Sequence, residues 1–245
     1  MVHLYIGIIE SGPQFDESLR AKAETYNAFY YPIEVDANRT KEEKIPYMND
    51  WYRNVNELIV ESNIYKSDLI TAVSTANVGL RKGIPEIFHF AKQYNIPLLI
   101  FSAGIGDVIQ EVLEQKYCQY YNTTLPLYTQ IVSNWMIWDK NNNNKLIGWT
   151  EPVIHMFNKD AEHTKYAPWF NTFNQKSNIL LLGDGEGDVT MSDGLNYQHV
   201  LKLGFLNDNL DKLFTKYLNV YDVVITNDGP ATLILDILKE MKQQS

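Results

Sequence analysis

The sequence has 245 residues, of which 45% are hydrophobic, and its 21 basic and 30 acidic residues give a formal net charge of −9. An acidic chain repels phosphate backbones, so a protein that binds nucleic acid over a broad surface is disfavoured. No apolar run approaches the roughly 20 residues that a membrane span needs. The single cysteine, Cys118, excludes an internal disulfide framework and a multi-cysteine metal site, and it fits a reducing compartment.

Residues 13–95 carry helical periodicity and almost no strand signal. The segment QFDESLRAKAETYNAFYY predicts a helix because its apolar residues recur near i, i+4 spacing. A second helix begins at TKEE, where Thr40 and Glu43 form a capping box. Further helices are predicted over residues 65–76 and 84–95. This block is therefore expected to be a helical cap or insert.

From residue 97 the pattern changes to strands that alternate with helices. The predicted strands are PLLIFS (97–102), TQIVSN (129–134), NILLLGD (178–184), HVLKLGFLN (199–207) and DVVITND (222–228). The segments DVIQEVLEQ and ATLILDILKEMK are predicted helices, and Asn141–Asn144 is predicted to be a solvated hairpin tip or a loop insertion. Continuous apolar strands that alternate with helices indicate an α/β fold, with a three-layer, doubly wound, mainly parallel sheet.

An acidic segment follows the predicted strand that ends near residue 183. Asp184, Glu186 and Asp188 alternate there with glycines. A dinucleotide-binding loop is disfavoured because position 188 is not glycine and because three acids would repel a pyrophosphate. An EF-hand is disfavoured because Val189 and Leu195 stand where it needs glycine and glutamate. A Mg²⁺ site with carboxylate ligands is favoured, and a plain acidic turn is the alternative.

Two further segments contain groups that could bind a phosphate. Ser102 ends a predicted strand and precedes the small residues of SAGIGD, so backbone N–H groups at the next helix could cradle an anion. An ordinary helix-capping serine is an equally good interpretation. Lys159, in HMFNKD, could neutralise a phosphate, although a lone lysine is more often a solvated surface residue.

The order of these groups resembles that of a known superfamily. Ser102 with its glycine turn, then a lysine, then G-D-x-x-G-D follow the order of motifs II, III and IV of haloacid dehalogenase phosphatases. Within this superfamily, almost the whole chain resembles the cytosolic pyrimidine 5'-nucleotidase III family. The matching segments are YYPIEVD, EEKIPYMNDWY, IFSAGIGD, VIHMFNK, NILLLGDGEGDVTMSDG and LKLGFLND.

This resemblance implies a haloacid dehalogenase-like α/β core with a helical cap, and Mg²⁺-dependent hydrolysis of nucleoside 5'-monophosphates. The implied substrate is a pyrimidine monophosphate such as CMP or UMP, or a 7-methylated guanosine monophosphate. Ser102 and Ala103 would hold the phosphate oxygens, and Lys159 would stabilise charge on the transferring phosphoryl group. Asp184 and Asp188 would be the metal-site residues, Asp188 orienting the metal's ligands or the lysine. Glu34 would recognise the base.

The chain departs from the family pattern at two places. Val55 stands where relatives have a serine that contacts the substrate. The superfamily's first strand ends in D-x-D-x-T, which supplies the nucleophile, and this sequence contains no Asp-x-Asp. The resemblance places that strand before Met1. The expected domains are 1–12 as a remnant of the N-terminal connection, 13–96 as the cap, and 97–245 as a core without its first strand.

Two hypotheses of different classes follow from these features. The first is a Mg²⁺-dependent 5'-nucleotidase whose nucleophile lies outside these 245 residues. The second is a catalytically silent protein that binds a nucleotide or a partner. In both we expect a small-molecule nucleoside monophosphate as ligand, no nucleic acid, no membrane and a monomer. The start MVHLYIGIIESG lacks a basic n-region, so a cytoplasmic location is expected.

Overall fold

The computed structural model describes residues 7, 9, 12, 14–36, 38–159, 167 and 169–243. They form two compact units, each assembled from separate stretches of chain. The helical unit contains residues up to Val78 together with Ser102–Tyr120 and Ile131–Phe157. The sheet unit contains Gly79–Phe101, Tyr121–Gln130 and the residues from Asn158 onward. Within the described residues, no helix is both long enough and apolar enough to cross a membrane.

In chain order the helices are α1 (Glu17–Val35), α2 (Lys41–Glu61), α3 (Lys66–Thr75), α4 (Ile84–Gln93), α5 (Gly106–Leu113), α6 (Phe170–Asn174), α7 (Leu210–Val220) and α8 (Thr232–Gln243). The strands are β1 (Leu98–Ile105), β2 (Thr129–Asn134), β3 (Met136–Asp139), β4 (Lys145–Trp149), β5 (Asn178–Gly183), β6 (His199–Leu206) and β7 (Val223–Thr226). A π-helix (Glu114–Gln119) continues α5, and a 3-10 helix (Glu186–Thr190) follows β5.

The helical unit is built on the pair α1 and α2. Asp16 caps α1, because its carboxylate accepts a hydrogen bond from the Leu19 N–H at 2.9 Å. At the start of α2 the Thr40 hydroxyl accepts from the Glu43 N–H at 3.2 Å, and the Glu43 carboxylate accepts from the Thr40 N–H at 2.8 Å. This confirms the predicted capping box. The apolar faces meet in a core that includes Phe15, Leu19, Met48, Trp51, Val55, Leu58, Ile59, Val73, Val108 and Leu146.

The strands β3 and β4 form an antiparallel hairpin within the helical unit. Asn143 and Asn144 lie at its tip with φ of 49° and 56°, in the left-handed region that asparagine tolerates better than most residues. The predicted hairpin tip is therefore confirmed. The hairpin packs on α2 through Trp149, whose Nε1–H donates to the Asn56 carbonyl at 3.0 Å.

The sheet unit contains a parallel sheet in the order β5-β6-β7. Successive side chains of a strand point to opposite faces, and here both faces are apolar. One face packs with α4 and α8 around Leu203, Phe205 and Ile234, and the other packs with α7 around Leu181 and Leu206. Helices on both faces make three layers, so the predicted α/β architecture is confirmed for this unit.

The remaining strands form a separate two-stranded sheet, β1-β2. Among the described residues no strand pairing joins this sheet to β5. The predicted strand over 97–102 is longer than expected, because β1 continues through Ser102 to Ile105. Ser102 therefore lies within a strand and does not end one.

The predicted helical block contains no named strand among its described residues, and only an isolated bridge at Tyr65 interrupts the pattern. The compact units, however, follow a different division from 13–96 and 97–245. Helix α4 packs against α8 in the sheet unit, whereas the β3-β4 hairpin lies in the helical unit. The assignment of a cap and a core stays a prediction. The remnant over 1–12 lies outside the described residues, apart from positions 7, 9 and 12.

Candidate active site

The loop after β5 folds around the carboxylate of Asp188. Its Oδ2 atom accepts hydrogen bonds from the backbone N–H groups of Asp184 at 2.9 Å and Gly185 at 3.0 Å. Its Oδ1 atom lies 2.7 Å from Nζ of Lys159. Asp188 thus closes the turn through one carboxylate oxygen and pairs with the Lys159 ammonium group through the other.

Lys159 is buried, with only 5% of its surface exposed. Its ion pair with Asp188 joins two side chains that are each 6% exposed. Burying two charges is costly unless they pair closely and their other atoms are hydrogen-bonded. Thr190 adds to this arrangement, because its hydroxyl donates to the Lys159 carbonyl at 3.2 Å. Lys159 is therefore not the solvated surface lysine that was its alternative interpretation.

Glu186 and Asp184 are both exposed in this loop, and of the two Asp184 is the one that interacts electrostatically with Asp188 and Lys159. The Asp184 side chain remains open to solvent, yet the protein atoms that displace water around it, and then the charge of Asp188, raise its pKa to about 6. The Lys159 charge acts in the opposite direction. A carboxylate whose ionised form is disfavoured gains from a nearby cation.

The fit of these residues to Mg²⁺ rests on Asp184. Both oxygens of Asp188 already have hydrogen-bond or ionic partners, and Mg²⁺ commonly takes one or two carboxylates together with water and substrate phosphate. Among the described residues, no group of three or more His, Cys, Asp or Glu side chains could hold a metal ion. The exposed Asp184 carboxylate beside a buried lysine fits a site in which Mg²⁺ takes one protein carboxylate together with water and substrate phosphate. The metal roles of Asp184 and Asp188 stay predictions.

The segment around Ser102 is held by β2. Ser133 donates from its hydroxyl to the Gly104 carbonyl at 2.8 Å, and Asn134 donates from Nδ2 to the Ala103 carbonyl at 2.9 Å. The Ser102 Oγ atom accepts from the Gly104 N–H at 3.0 Å, which leaves the hydroxyl hydrogen of Ser102 available to a ligand. These bonds suit a phosphate-binding role for Ser102 and Ala103, which stays a prediction.

Glu34 lies in the last turn of α1, beside a buried lysine. Nζ of Lys44 donates to the Glu34 backbone carbonyl at 3.0 Å, and Lys44 is 9% exposed. Burial raises the pKa of the Glu34 carboxyl, and the Lys44 charge opposes that shift. Burial, followed by the Glu34 charge, raises the pKa of Tyr52, so its hydroxyl stays protonated. Val55 is 6% exposed and belongs to the apolar core.

The structure brings together part of the predicted site within each unit. Lys159, Asp184 and Asp188 cluster in the sheet unit. Ser102 and Ala103 lie in the helical unit, as does Glu34. The convergence of the two groups on one substrate stays a prediction.

Other residues shape these loops without having been predicted from the sequence. They are Asn134, which binds the Ser102 segment, and Tyr217 and Tyr221, whose hydroxyls donate to backbone carbonyls of the acidic loop. One sequence signal for the tyrosines exists. Gly183 and Gly204 lie opposite each other on β5 and β6, and paired glycines in a buried sheet indicate a bulky neighbour.

Comparison with known proteins gives a consistent set of similarities. A family model described as pyrimidine 5'-nucleotidase (UMPH-1) matches residues 2–242. A 7-methylguanosine phosphate-specific 5'-nucleotidase of Gallus gallus is 35% identical over 233 residues, which cover 95% of this chain and 78% of the relative. The Homo sapiens protein of the same name is 34% identical over 235 residues, covering 96% of this chain and 76% of its own.

Solved structures agree with these matches. The crystal structure of cytosolic 5'-nucleotidase IIIB bound to cytidine is 27% identical, with a TM-score of 0.83, and the match covers 97% of this chain and 78% of that one. A probable phosphoserine phosphatase from Vibrio cholerae matches with a TM-score of 0.56 at 15% identity, over 100% of this chain and 64% of that one. The latter similarity concerns the fold alone.

Proposed function

The chain belongs to the pyrimidine 5'-nucleotidase (UMPH-1) family, and from this membership we propose that it binds nucleoside 5'-monophosphates and acts on their phosphate with Mg²⁺ as cofactor. The family is one of 5'-nucleotidases, which are phosphoric monoester hydrolases. Its α/β fold is that of haloacid dehalogenase-like phosphatases. The products would be a nucleoside and inorganic phosphate.

The buried ion pair between Lys159 and Asp188 is the observation that supports this proposal most. A lysine held in a dry environment offers a strong positive charge to a phosphoryl group, because little water screens it. Its carboxylate partner fixes its position, because Asp188 Oδ1 lies 2.7 Å from Lys159 Nζ. Asp184 is exposed, and its carboxylate interacts electrostatically with both members of this pair.

The residues of the site would divide the work by their chemistry. Ser102 and Ala103 would hold phosphate oxygens through the serine hydroxyl and backbone N–H groups. Lys159 would stabilise the negative charge on the equatorial oxygens of the transferring phosphoryl group. Positive groups beside these oxygens supply much of the catalysis of phosphoryl transfer. Asp184 would hold Mg²⁺, with Asp188 orienting Asp184 and Lys159. Bound Mg²⁺ would supply positive charge to the same oxygens.

Base recognition is proposed for Glu34. Its carboxylate would accept hydrogen bonds from donor groups of the base, as the family resemblance implies. One relative is named as specific for 7-methylguanosine phosphate, and another is described as bound to cytidine. The monophosphates of these two nucleosides are therefore the substrates that we propose. Val55 offers no hydrogen bond, so affinity would rest more heavily on Glu34. We also propose a cytoplasmic location, because the cytidine-bound relative is named as cytosolic. The expected monomer stays a prediction.

A second candidate function is nucleotide binding without catalysis. The 245 residues contain no Asp-x-Asp pair, which the superfamily uses for nucleophilic attack. A serine, a lysine and a metal ion position a phosphate but do not replace the attacking carboxylate. The same site would then bind the nucleotide and leave its phosphate ester intact.

One pair of measurements tests both candidates. Calorimetric titration of the full chain with CMP and with 7-methyl-GMP, in the presence of Mg²⁺, measures binding, and phosphate release measures turnover. Binding that is lost in Lys159→Ala and in Glu34→Ala supports the roles proposed for these two residues, and phosphate release then selects the enzyme over the silent binder. Absence of binding by both nucleotides would overturn the proposed function. GMP, which lacks the 7-methyl group, is the matched control ligand.

A further inference from the structure

Two tyrosines of the sheet unit reach the acidic loop at its carbonyl groups. The Tyr217 hydroxyl donates a hydrogen bond to the Asp184 carbonyl, and the Tyr221 hydroxyl donates one to the Gly185 carbonyl. Both tyrosines are 4% exposed. Neither belongs to the residues that the family resemblance assigns to the site.

The peptide group between Asp184 and Gly185 is held at both of its polar ends. Its N–H, which belongs to Gly185, donates to Asp188 Oδ2 at 3.0 Å, and its carbonyl, which belongs to Asp184, accepts from Tyr217. A peptide group is planar, so bonds at both ends fix the rotation of the whole plane. The direction in which the Asp184 side chain leaves the backbone is thereby fixed as well.

The packing around Tyr221 depends on two glycines. A Cβ atom on Gly204 would lie 2.5 Å from Cδ2 of Tyr221, and one on Gly183 would lie 2.5 Å from its hydroxyl oxygen. Tyr217 and Tyr221 are four residues apart, and their ring centroids are 5.3 Å from each other. The two glycines therefore leave room for Tyr221, and the four-residue spacing places both rings on one face of the helix end.

The two hydroxyls act as donors at neutral pH. Burial, and then the charge of Asp184, raises the pKa of Tyr217 to about 12. Burial, and then the charge of Asp188, raises the pKa of Tyr221 as well. A protonated hydroxyl donates to a carbonyl, whereas a phenolate would repel it.

We propose that Tyr217 and Tyr221 are positioning residues for Asp184, which fix the backbone from which its carboxylate reaches a cation. They act through main-chain carbonyls and do not touch the substrate. The inference rests on the proposed function only in assigning Asp184 to Mg²⁺.

The test uses the full chain with Tyr217→Phe and Tyr221→Phe, each of which removes one hydroxyl and keeps the ring. Tyr30→Phe is the matched control, because Tyr30 is 9% exposed and its hydroxyl accepts from Asn54 at 3.0 Å, away from this loop. Hydrogen exchange of the Asp184 and Gly185 amides reports loop order, and calorimetric titration with MgCl₂ alone reports metal binding.

We expect amide exchange at these two positions to be roughly fivefold faster in each loop variant, as the loss of one hydrogen bond predicts, with no change in Tyr30→Phe. Mg²⁺ affinity should fall by a similar factor. Unchanged exchange in both loop variants would overturn the inference, as would unchanged Mg²⁺ affinity in a parent that binds the ion. A parent that binds no Mg²⁺ counts against the proposed cofactor, while faster exchange still supports the positioning role.

Discussion

Asn134 and Ile154 are joined by two hydrogen bonds, one in each direction. Nδ2 of Asn134 donates to the Ile154 carbonyl at 2.9 Å, and Oδ1 accepts from the Ile154 N–H at 2.8 Å. The same amide nitrogen reaches the Ala103 carbonyl at 2.9 Å. Because Asn134 is 3% exposed, water has little access to replace these bonds.

Asn134→Leu is expected to lower the free energy of unfolding by about 3 kcal/mol, since it leaves several buried backbone groups without partners. Asn54→Ala, which removes one hydrogen bond to Tyr30, is the control and should cost about 1 kcal/mol. Urea unfolding followed by tryptophan fluorescence measures both. Equal losses in the two variants would contradict the linking role of Asn134.

Lys159→Met is expected to lower the free energy of unfolding by about 3 kcal/mol, because it leaves the Asp188 carboxylate buried without its cation. Arg53→Met is the surface control. Nε of Arg53 lies 3.2 Å from Oε1 of Glu151, but the two side chains are 52% and 57% exposed. The free energy of unfolding should therefore fall by less than about 1 kcal/mol. Combining Lys159→Met with Asp188→Asn should cost less than the sum of the single variants. Strict additivity would show that the two charges do not interact.

The stability of the parent should fall relative to Glu34→Gln as the pH rises. Burial raises the pKa of Glu34 in the folded state, so the folded chain holds a proton that the unfolded chain releases. Stability from this group is present below the unfolded pKa and is lost as the pH rises through the folded pKa. Urea unfolding of both proteins between about pH 4 and about pH 8 measures the difference. A parent that gains stability relative to Glu34→Gln over this range would show the opposite sign of the shift.

Gly204→Ala is expected to cost about 2 kcal/mol of stability, because the added methyl group would overlap the Tyr221 ring. Gly148→Ala is the control, since its nearest neighbour, Cδ1 of Ile137, lies 3.9 Å from the added Cβ. Thermal unfolding should separate the two variants by several degrees. A Gly204→Ala protein as stable as Gly148→Ala would mean that the ring moves aside at little cost.

Most of the regular elements follow from local pattern. The apolar runs at 178–184 and 199–207 predict β5 and β6 within a residue or two at their ends, because a strand buried on both faces must be apolar throughout. The start of α2 follows from Thr40 and Glu43, whose reciprocal bonds are local. The extension of β1 to Ile105 does not follow, because the small residues of SAGI form a strand only through pairing with β2.

The site was predictable in its residues more than in their contacts. Carboxylates between glycines after a strand identify Asp184 and Asp188 from sequence. That Asp188 faces Lys159 depends on tertiary folding across 29 positions of chain. The contact of Tyr217 with the acidic loop also depends on tertiary folding, because its partner carbonyl belongs to a residue 33 positions away in the sequence.

The chain passes between the two compact units after Val78, Phe101, Tyr120, Gln130 and Phe157. Neither unit is thus encoded by one continuous stretch of gene. Exchange of residues 1–78 with a relative would leave the helical unit with parts from two parents, and exchange of residues 158–245 would do the same to the sheet unit. Transfer of a relative's substrate preference to this chain therefore calls for point substitutions, since an exchanged segment would face residues of the other parent within its own unit.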